Sequence, residues 1–135
     1  MDVLVYRFVM SGYGTLCREV AELHGNAEVV LVLSNGRLAA SHMKQGGPSP
    51  EEGEFRKMLA QLETVIATIK ANEDKFGELQ SVVIHYRYVD GIFFPINGAD
   101  TLVIGIMPPY DGNQFISQVS ALVEKKKGAE MHHPV

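Results

Sequence analysis

The feature that most constrains the fold of this chain is a long amphipathic helix, predicted over residues 49–77, between two β-rich halves. Ser49, Pro50 and Glu52 predict its start, because serine caps helices, proline suits the first helical position and glutamate completes a capping box. Gly77 predicts its end. The apolar residues recur at intervals of three and four, which predicts one face packed against a sheet: Phe55, Met58, Leu59, Leu62, Val65, Ile66 and Ile69.

The half before this helix predicts a short helix and a β-hairpin. The short helix is expected over residues 15–25. Residues 27–33 form a nearly continuous β-branched and aliphatic run, which is typical of a strand buried on both faces. Asn35 and Gly36 follow, and this pair is the strongest short signal for a hairpin turn. Residues 38–43 are therefore predicted to return antiparallel.

The half after the long helix predicts a three-stranded meander and a last helix. Asp111 caps that helix, and Gln114 three positions on forms a second capping box. Gly128 predicts its end. The meander consists of apolar runs separated by glycine-containing turns: strands over residues 79–88, 92–96 and 101–107, with turns at Asp90-Gly91 and Asn97-Gly98.

This order of elements, α-β-β-α-β-β-β-α, predicts an α/β (α+β) protein. Five antiparallel strands with helices on both faces form a three-layer α/β/α sandwich. A chain of 135 residues is one domain by the usual size of domains. We expect an N-terminal extension over residues 1–14, whose apolar residues 1–10 form an extra strand or an extended arm. Residues 128–135 are expected to be a flexible tail.

Composition and charge narrow the classes of function. The net charge of −4 and the pI near 5.7 argue against a nucleic-acid-binding module, which would usually be basic. The basic run 125–127 is expected to complement a helix end, the alternative being contact with an acidic partner or a membrane surface. Cys17 is the only cysteine, so no intrachain disulfide can form, and residues 1–10 are too short to cross a bilayer. We expect a cytoplasmic protein without integral membrane association.

No residue pattern predicts a catalytic, cofactor-binding or metal site. The glycine-containing segments 12–14 and 46–47 lack the lysine and the strand-before-helix context of a phosphate loop. The histidines have no metal-ligand spacing except in the tail pair His132-His133, which has no third ligand nearby in sequence. Cys17 is more simply a buried core thiol than a nucleophile.

The strand predicted over residues 79–88 carries the clearest sign of function. A long strand at a sheet edge exposes backbone groups and apolar side chains that invite pairing with another chain. A homodimer would cover two such edges, and symmetric pairing is the commonest soluble assembly. The residues expected at this interface lie on the exposed side of the long helix and on the strand: Arg56, Lys57, Gln61, Glu63, Lys70, Val83, His85, Tyr86, Arg87 and Tyr88.

Three segments of the sequence resemble the roadblock/LC7 family, a branch of the profilin-like and longin-like folds. They are AEVVLVLSNGRLAAS over residues 27–41, the long helix, and LQSVVIHYRYVDGIFFPINGADTLVIGIM over residues 79–107, which leads into the Asp111 helix. The first segment matches the strand, Asn/Asp-Gly turn and short return strand of that family. The likeness covers residues 15–127.

The resemblance implies a non-enzymatic adaptor without a cofactor. Roadblock proteins form homodimers or heterodimers, in which the central helix and the third strand pair across a two-fold axis and the two sheets become one. Family members regulate small Ras-like GTPases, act in scaffolds on membranes or attach to motor proteins. In this chain the pairing elements would be residues 49–76 and 79–88.

Two alternatives stay open from the residues alone. In a profilin-like or longin-like monomer that binds an actin-like filament protein or a trafficking protein, residues 1–10 would cap the sheet edge. In a small enzyme or ligand-binding domain, His85 would line a pocket, although convergent polar groups are missing from the sequence. The aromatic residues of that pocket would come from two adjacent strands: Tyr86, Tyr88, Phe93 and Phe94.

Overall fold

The computed structural model describes residues 3–44 and 52–131. In chain order, its helices and strands are α1 (Val3–Glu22), β1 (Ala27–Ser34), β2 (Arg37–Met43), α2 (Glu52–Lys70), α3 (Glu73–Phe76), β3 (Val82–His85), β4 (Asp90–Pro95), β5 (Asp100–Ile106) and α4 (Gly112–Met131).

The five strands form one antiparallel sheet in the order β2-β1-β5-β4-β3. β1, β5 and β4 therefore lie inside the sheet, and β2 and β3 are its edges. α1 and α4 pack on one face, and α2 packs on the other. This arrangement confirms the predicted three-layer sandwich with a five-stranded antiparallel sheet.

Side-chain alternation along the strands divides the core into two layers. The layer under α1 and α4 is the larger, and Phe94, Leu102 and Ile104 are almost inaccessible to solvent in it. In the layer under α2, the buried helix residues Leu59 and Ile66 pack against side chains of β1, β4 and β5.

The turn between β1 and β2 follows the predicted hairpin chemistry. Asn35 and Gly36 have φ angles of 51° and 78°, in the left-handed region that this residue pair tolerates. Ser34 lies opposite Arg37 across the turn. The predicted Asn-Gly hairpin is confirmed.

The N-terminal segment is helical, so the extra strand or extended arm predicted over residues 1–10 is wrong for the part of it that the structure describes. α1 begins at Val3 and continues through residues 11–14 without a break. Leu16 and Val20 anchor it on the sheet, and an anchored helix elongates readily because each further residue adds a backbone hydrogen bond. α1 lies over β1 and β2, so it does not cap the β3 edge.

The helix predicted over residues 49–77 is divided into α2 and α3. α2 ends at Lys70, and the carbonyl oxygen of Asn72 then accepts two amide hydrogen bonds from the single turn of α3. Gly77 ends α3 with a φ of 89°, which confirms the predicted stop at this glycine. The predicted helix start at residues 49–51 lies outside the described residues.

β3 is shorter than predicted because the chain turns at residues 87–88 and not at Asp90-Gly91. The amide of Tyr86 donates a hydrogen bond to the carbonyl oxygen of Val89 across this turn, at 3.0 Å. Asp90 is the first residue of β4, where it is buried and hydrogen-bonded. Tertiary contacts therefore outweigh the local preference of an Asp-Gly pair for a turn.

α4 begins at the predicted cap but ends later than predicted. A side-chain oxygen of Asp111 accepts a hydrogen bond from the amide of Gln114 at 3.1 Å, which confirms the cap. The helix continues past Gly128 to Met131, because one glycine among good helix formers costs only about 1 kcal/mol. Residues 132–135 of the predicted tail lie outside the described part of the chain.

Candidate functional site

β3 is an edge strand, and within the described residues only β4 pairs with it. Its four residues run from Val82, opposite Phe93, to His85, opposite Asp90. The side chains of Val83 and His85 are exposed, and those of Val82 and Ile84 are half-buried against the layer under α2. The strand therefore presents both backbone and side-chain groups to solvent.

The ladder determines which backbone groups of β3 are unpaired. Alternate residues of an antiparallel strand direct their N–H and C=O groups to the same neighbour. The amide of Tyr86 donates a hydrogen bond to Val89 just before β4. Ile84 lies two residues before Tyr86, so its N–H and C=O groups also point toward β4 and bond to it. Val83 and His85 consequently direct their N–H and C=O groups away from β4, along the open edge.

The other edge of the sheet is β2, which has charged residues at its ends and an irregular ladder with β1. Arg37 begins β2, and Lys44 follows it, where its ammonium donates a hydrogen bond to the carbonyl oxygen of Gly25 at 3.0 Å. A register shift between Val32 and Leu33 marks an irregularity in the β1–β2 ladder. Charged residues and bulges of this kind discourage edge-to-edge pairing, so the two edges of the sheet are not equivalent.

One flank of α2 is apolar and exposed. Met58, Val65 and Ile69 are 43%, 46% and 36% accessible to solvent. They were predicted to pack on the sheet with Leu59 and Ile66, and this part of the prediction is wrong, because only the latter two are buried. The apolar stripe of α2 is wider than the area in which the helix contacts the sheet. The residues at its outer side therefore stay uncovered. Met58, Val65 and Ile69 are called the α2 flank below.

The α2 flank borders a part of the sheet that α2 does not cover. The opposite side of α2 lies beside the chain turns, since Arg56 lines a cavity with Leu38 and Glu63 lines another with Asn97. The flank therefore faces the other end of the strands. There the sheet carries Gly91 opposite Gly105, and both glycines are half-buried, with the Phe93 ring and Val29 close to them. Among the described residues, α2 alone packs its side chains on this face, and α1 and α4 pack on the opposite face.

The structure separates three of the predicted interface residues of the helix from the α2 flank. Arg56 lines the cavity next to the β1–β2 turn, and Glu63 and Lys70 line the groove next to the β4–β5 turn. Lys57 and Gln61 are exposed, and Gln61 lies one helical turn before Val65, beside the flank. Sequence reasoning missed the α2 flank, although its spacing of seven and four residues is a visible signal in the sequence.

The predicted interface residues after the helix lie together. Val83 and His85 are on β3, and Tyr86, Arg87 and Tyr88 follow it into the turn, all of them exposed. The structure does not form the aromatic pocket of the alternative prediction. Phe93 and Phe94 are buried in different core layers, on opposite faces of the sheet from each other.

A hydrogen-bonded network secures the end of β3. The carboxylate of Asp90 binds the ring nitrogen Nδ1 of His85 with one oxygen and accepts a hydrogen bond from the Tyr110 hydroxyl with the other, at 2.5 Å. The Tyr110 ring contacts the rings of His24 and Phe115 edge-on. The network thus joins the edge strand to the segment that leads into α4.

The network shifts two pKa values. Hydrogen bonds from Tyr110 and then from His85 lower the pKa of Asp90, because they stabilise the carboxylate. Burial, and then the hydrogen bond to Asp90, raises the pKa of Tyr110 to about 12. Asp90 is therefore ionised and Tyr110 is protonated at neutral pH. These roles are structural, since both oxygens of the carboxylate are occupied within the chain.

We expect Asp90→Asn to make the free energy of unfolding depend less on pH in the acid range. A carboxyl group whose pKa is lower in the folded state stabilises the fold above its unfolded pKa of about 3.9, and this contribution disappears as the pH falls through the folded pKa. Urea unfolding from neutral pH into acid should show a lower free energy of unfolding for the variant than for the wild type at pH 7. Below the folded pKa the two should converge, whereas a constant difference would contradict the assigned network.

The described residues contain few other candidates for chemistry. Between residues 3–44 and 52–131, no three His, Cys, Asp or Glu side chains are placed to hold a metal ion. Cys17 is fully buried, which confirms the predicted core position, and burial raises the pKa of its thiol to about 11. No helix in this part of the chain combines the length and apolar character needed to cross a membrane.

The fold has known relatives, although no protein-family model and no curated protein matches the sequence. A roadblock/LC7 domain from Streptomyces avermitilis superposes with a TM-score of 0.68, covering 87% of this chain and 97% of that one at 13% identity. The chain has a roadblock/LC7 fold. MglC from Myxococcus xanthus superposes on this chain with a TM-score of 0.66. The two sequences are 14% identical, and the match covers 87% of this chain and 98% of MglC.

The roadblock/LC7 fold also occurs in an assembled form. A structure described as MglB with a tetrameric arrangement superposes with a TM-score of 0.60, at 15% identity over 85% of this chain and 92% of that one. Such low identities establish the common fold and not a common partner. They agree with the roadblock/LC7 resemblance that the turns and strand order of the sequence imply.

Proposed function

We propose that this protein is a non-enzymatic adaptor of roadblock type that acts as a cytoplasmic homodimer. The observation that carries the proposal is the edge of β3 that no described strand pairs with, together with the exposed apolar flank of α2, since Val82 and Ile84 of β3 pack in the layer under α2. Unpaired backbone groups at a strand edge and exposed apolar side chains are both typical of surfaces that bind another protein.

The proposed dimer joins two copies about a two-fold axis. The β3 strands pair antiparallel through the outward groups of Val83 and His85, and the two sheets become continuous. The second α2 covers the sheet around Gly91 and Gly105 that the first leaves open. The two α2 flanks then pack against each other. This contact removes the exposed apolar surface of Met58, Val65 and Ile69 from water, which favours association.

The monomeric alternative lacks its supporting contact. It needs the N-terminal segment to cap the sheet edge, and α1 lies instead over β1 and β2. The partner classes come from the resemblance: a small Ras-like GTPase, a motor protein or an actin-like filament protein, with a heterodimer of related domains as a variant of the assembly. An affinity capture of the tagged dimer from its own cells, with mass spectrometry, would decide among them.

We expect Val83→Pro to weaken the dimer about 100-fold, because each copy loses one intermolecular hydrogen bond worth about 1 kcal/mol and the proline ring crowds the partner strand. The fold should survive, since the Val83 amide is directed away from β4 and proline is tolerated on the open side of an edge strand. Analytical ultracentrifugation measures the dissociation constant.

Ile84→Pro is the matched control for this substitution. The Ile84 amide bonds to β4, so this proline removes a bond within the chain and should lower the melting temperature of the domain. If Val83→Pro left the dissociation constant unchanged while Ile84→Pro destabilised the fold, the β3 edge would not be the interface.

A further inference from the structure

α1 and α4 leave a groove between them on the face opposite to the proposed dimer interface. It has a volume of about 270 Å³ and opens to solvent. Leu16 of α1 and Leu122 of α4 supply its apolar lining, with Gly12 at one end. The polar residues that line it are Thr15, Glu19, Lys125 and Lys126.

Lys126 is held in position at one end of the groove. Its ammonium lies 5.3 Å from the centre of the Tyr13 ring, over the ring face. Gly12 makes this position possible, because a Cβ atom there would lie 2.5 Å from the ammonium nitrogen. The Tyr13 hydroxyl is in turn hydrogen-bonded to Asp100 at the start of β5. The cation is therefore placed by an aromatic ring that is itself fixed to the sheet.

The three consecutive lysines of α4 differ in their surroundings. Lys127 is engaged by two carboxylates, with its ammonium 2.9 Å from Glu78 and 3.6 Å from Glu124. Lys125 is exposed, and Lys125 and Lys126 both line the groove, in which Glu19 is the one acidic residue. Among the described residues the groove thus combines an apolar lining with a net positive charge.

We propose that this groove binds a short acidic segment of a partner protein through one apolar anchor side chain. The anchor would contact Leu16 and Leu122, and a neighbouring carboxylate would meet Lys125 and Lys126. A concave site with apolar walls suits an inserted side chain better than the flat surface of a bilayer. The groove lies on the face opposite to α2, so a dimer would present two such sites to a partner.

Fluorescence anisotropy with a labelled helical peptide of leucine and glutamate tests the proposal. We expect the full chain to bind this peptide, and to bind poorly a peptide in which lysine replaces each glutamate. Lys125→Glu combined with Lys126→Glu should weaken binding at least tenfold. Lys57→Glu, the same charge change on the exposed side of α2, should leave binding unchanged.

Several results would overturn the proposal. They are the absence of binding to the acidic peptide, equal binding of the basic peptide, or an equal loss with Lys57→Glu. Association with vesicles of anionic lipid, without peptide binding, would assign the lysines to a membrane surface instead. Val83→Pro tests the groove independently of the proposed dimer. A variant that has become monomeric should still bind one peptide per chain.

Discussion

Val65→Asp is expected to convert the proposed dimer into a folded monomer. Val65 is the central residue of the α2 flank and is 46% exposed in the single chain, so an aspartate there meets water and leaves the fold intact. In the dimer both copies would bury an unpaired carboxylate, at a total cost of about 3 kcal/mol or more. The dissociation constant should rise at least about 100-fold. Light scattering and circular dichroism measure the mass and the fold of the variant.

Ala60→Asp is the matched control for Val65→Asp. Ala60 is exposed, and its position five residues before Val65 places it on the side of α2 that faces away from the α2 flank. We expect a dissociation constant close to that of the wild type. A monomer with Ala60→Asp and a dimer with Val65→Asp would reverse the assignment and place the outer side of α2, not its apolar flank, at the interface.

Phe94→Ala is expected to cause the largest loss of stability. Phe94 is almost completely buried in the layer between the sheet and the two helices α1 and α4. Removing such a ring from a core costs about 3–5 kcal/mol. Urea unfolding measures this loss best in the Val65→Asp background, where dissociation does not contribute to the free energy of unfolding.

Phe76→Ala is the control for the chemical change itself. Phe76 is 85% exposed at the end of α3, so removing its ring should change the free energy of unfolding by less than about 0.5 kcal/mol. Equal losses for the two substitutions would mean that the layer under α1 and α4 is not the main core.

Local signals in the sequence were sufficient for much of the fold. The Asn35-Gly36 turn, the Asp111 cap and the stop at Gly77 depend on backbone preferences of the residues themselves, and the structure contains all three. The order of strands and helices follows from such signals and from apolar periodicity. Short-range physics therefore predicts the three-layer architecture.

The errors arose where distant residues decide the structure. Asp90 resembles a turn residue, but Tyr110, twenty positions along the chain, draws its carboxylate into β4. The N-terminal segment resembles a strand, but it continues a helix anchored by Leu16 and Val20. Neither contact is visible from local spacing.

The sequence predicts which strand and helix would form the candidate interface, but not which residues of the helix. The edge position of β3 follows from the order of strands, and the structure contains it. The helix residues could not be assigned, because an apolar pattern does not distinguish a side chain that faces its own sheet from one that faces a partner. Met58 and Val65 share the period of Leu59 and Ile66, and only the three-dimensional packing separates the two pairs.

Amide hydrogen exchange at β3 tests the proposed dimer most directly. The N–H groups of Val83 and His85 are directed away from β4, and none of the described strands of the single chain pairs with them. In the dimer they bond to the second β3. We predict slow exchange of both amides in the wild type, lost in the monomeric Val65→Asp variant while the Ile84 amide stays protected. Fast exchange of Val83 and His85 in the wild type, at concentrations where the protein is fully associated, would contradict pairing through this edge.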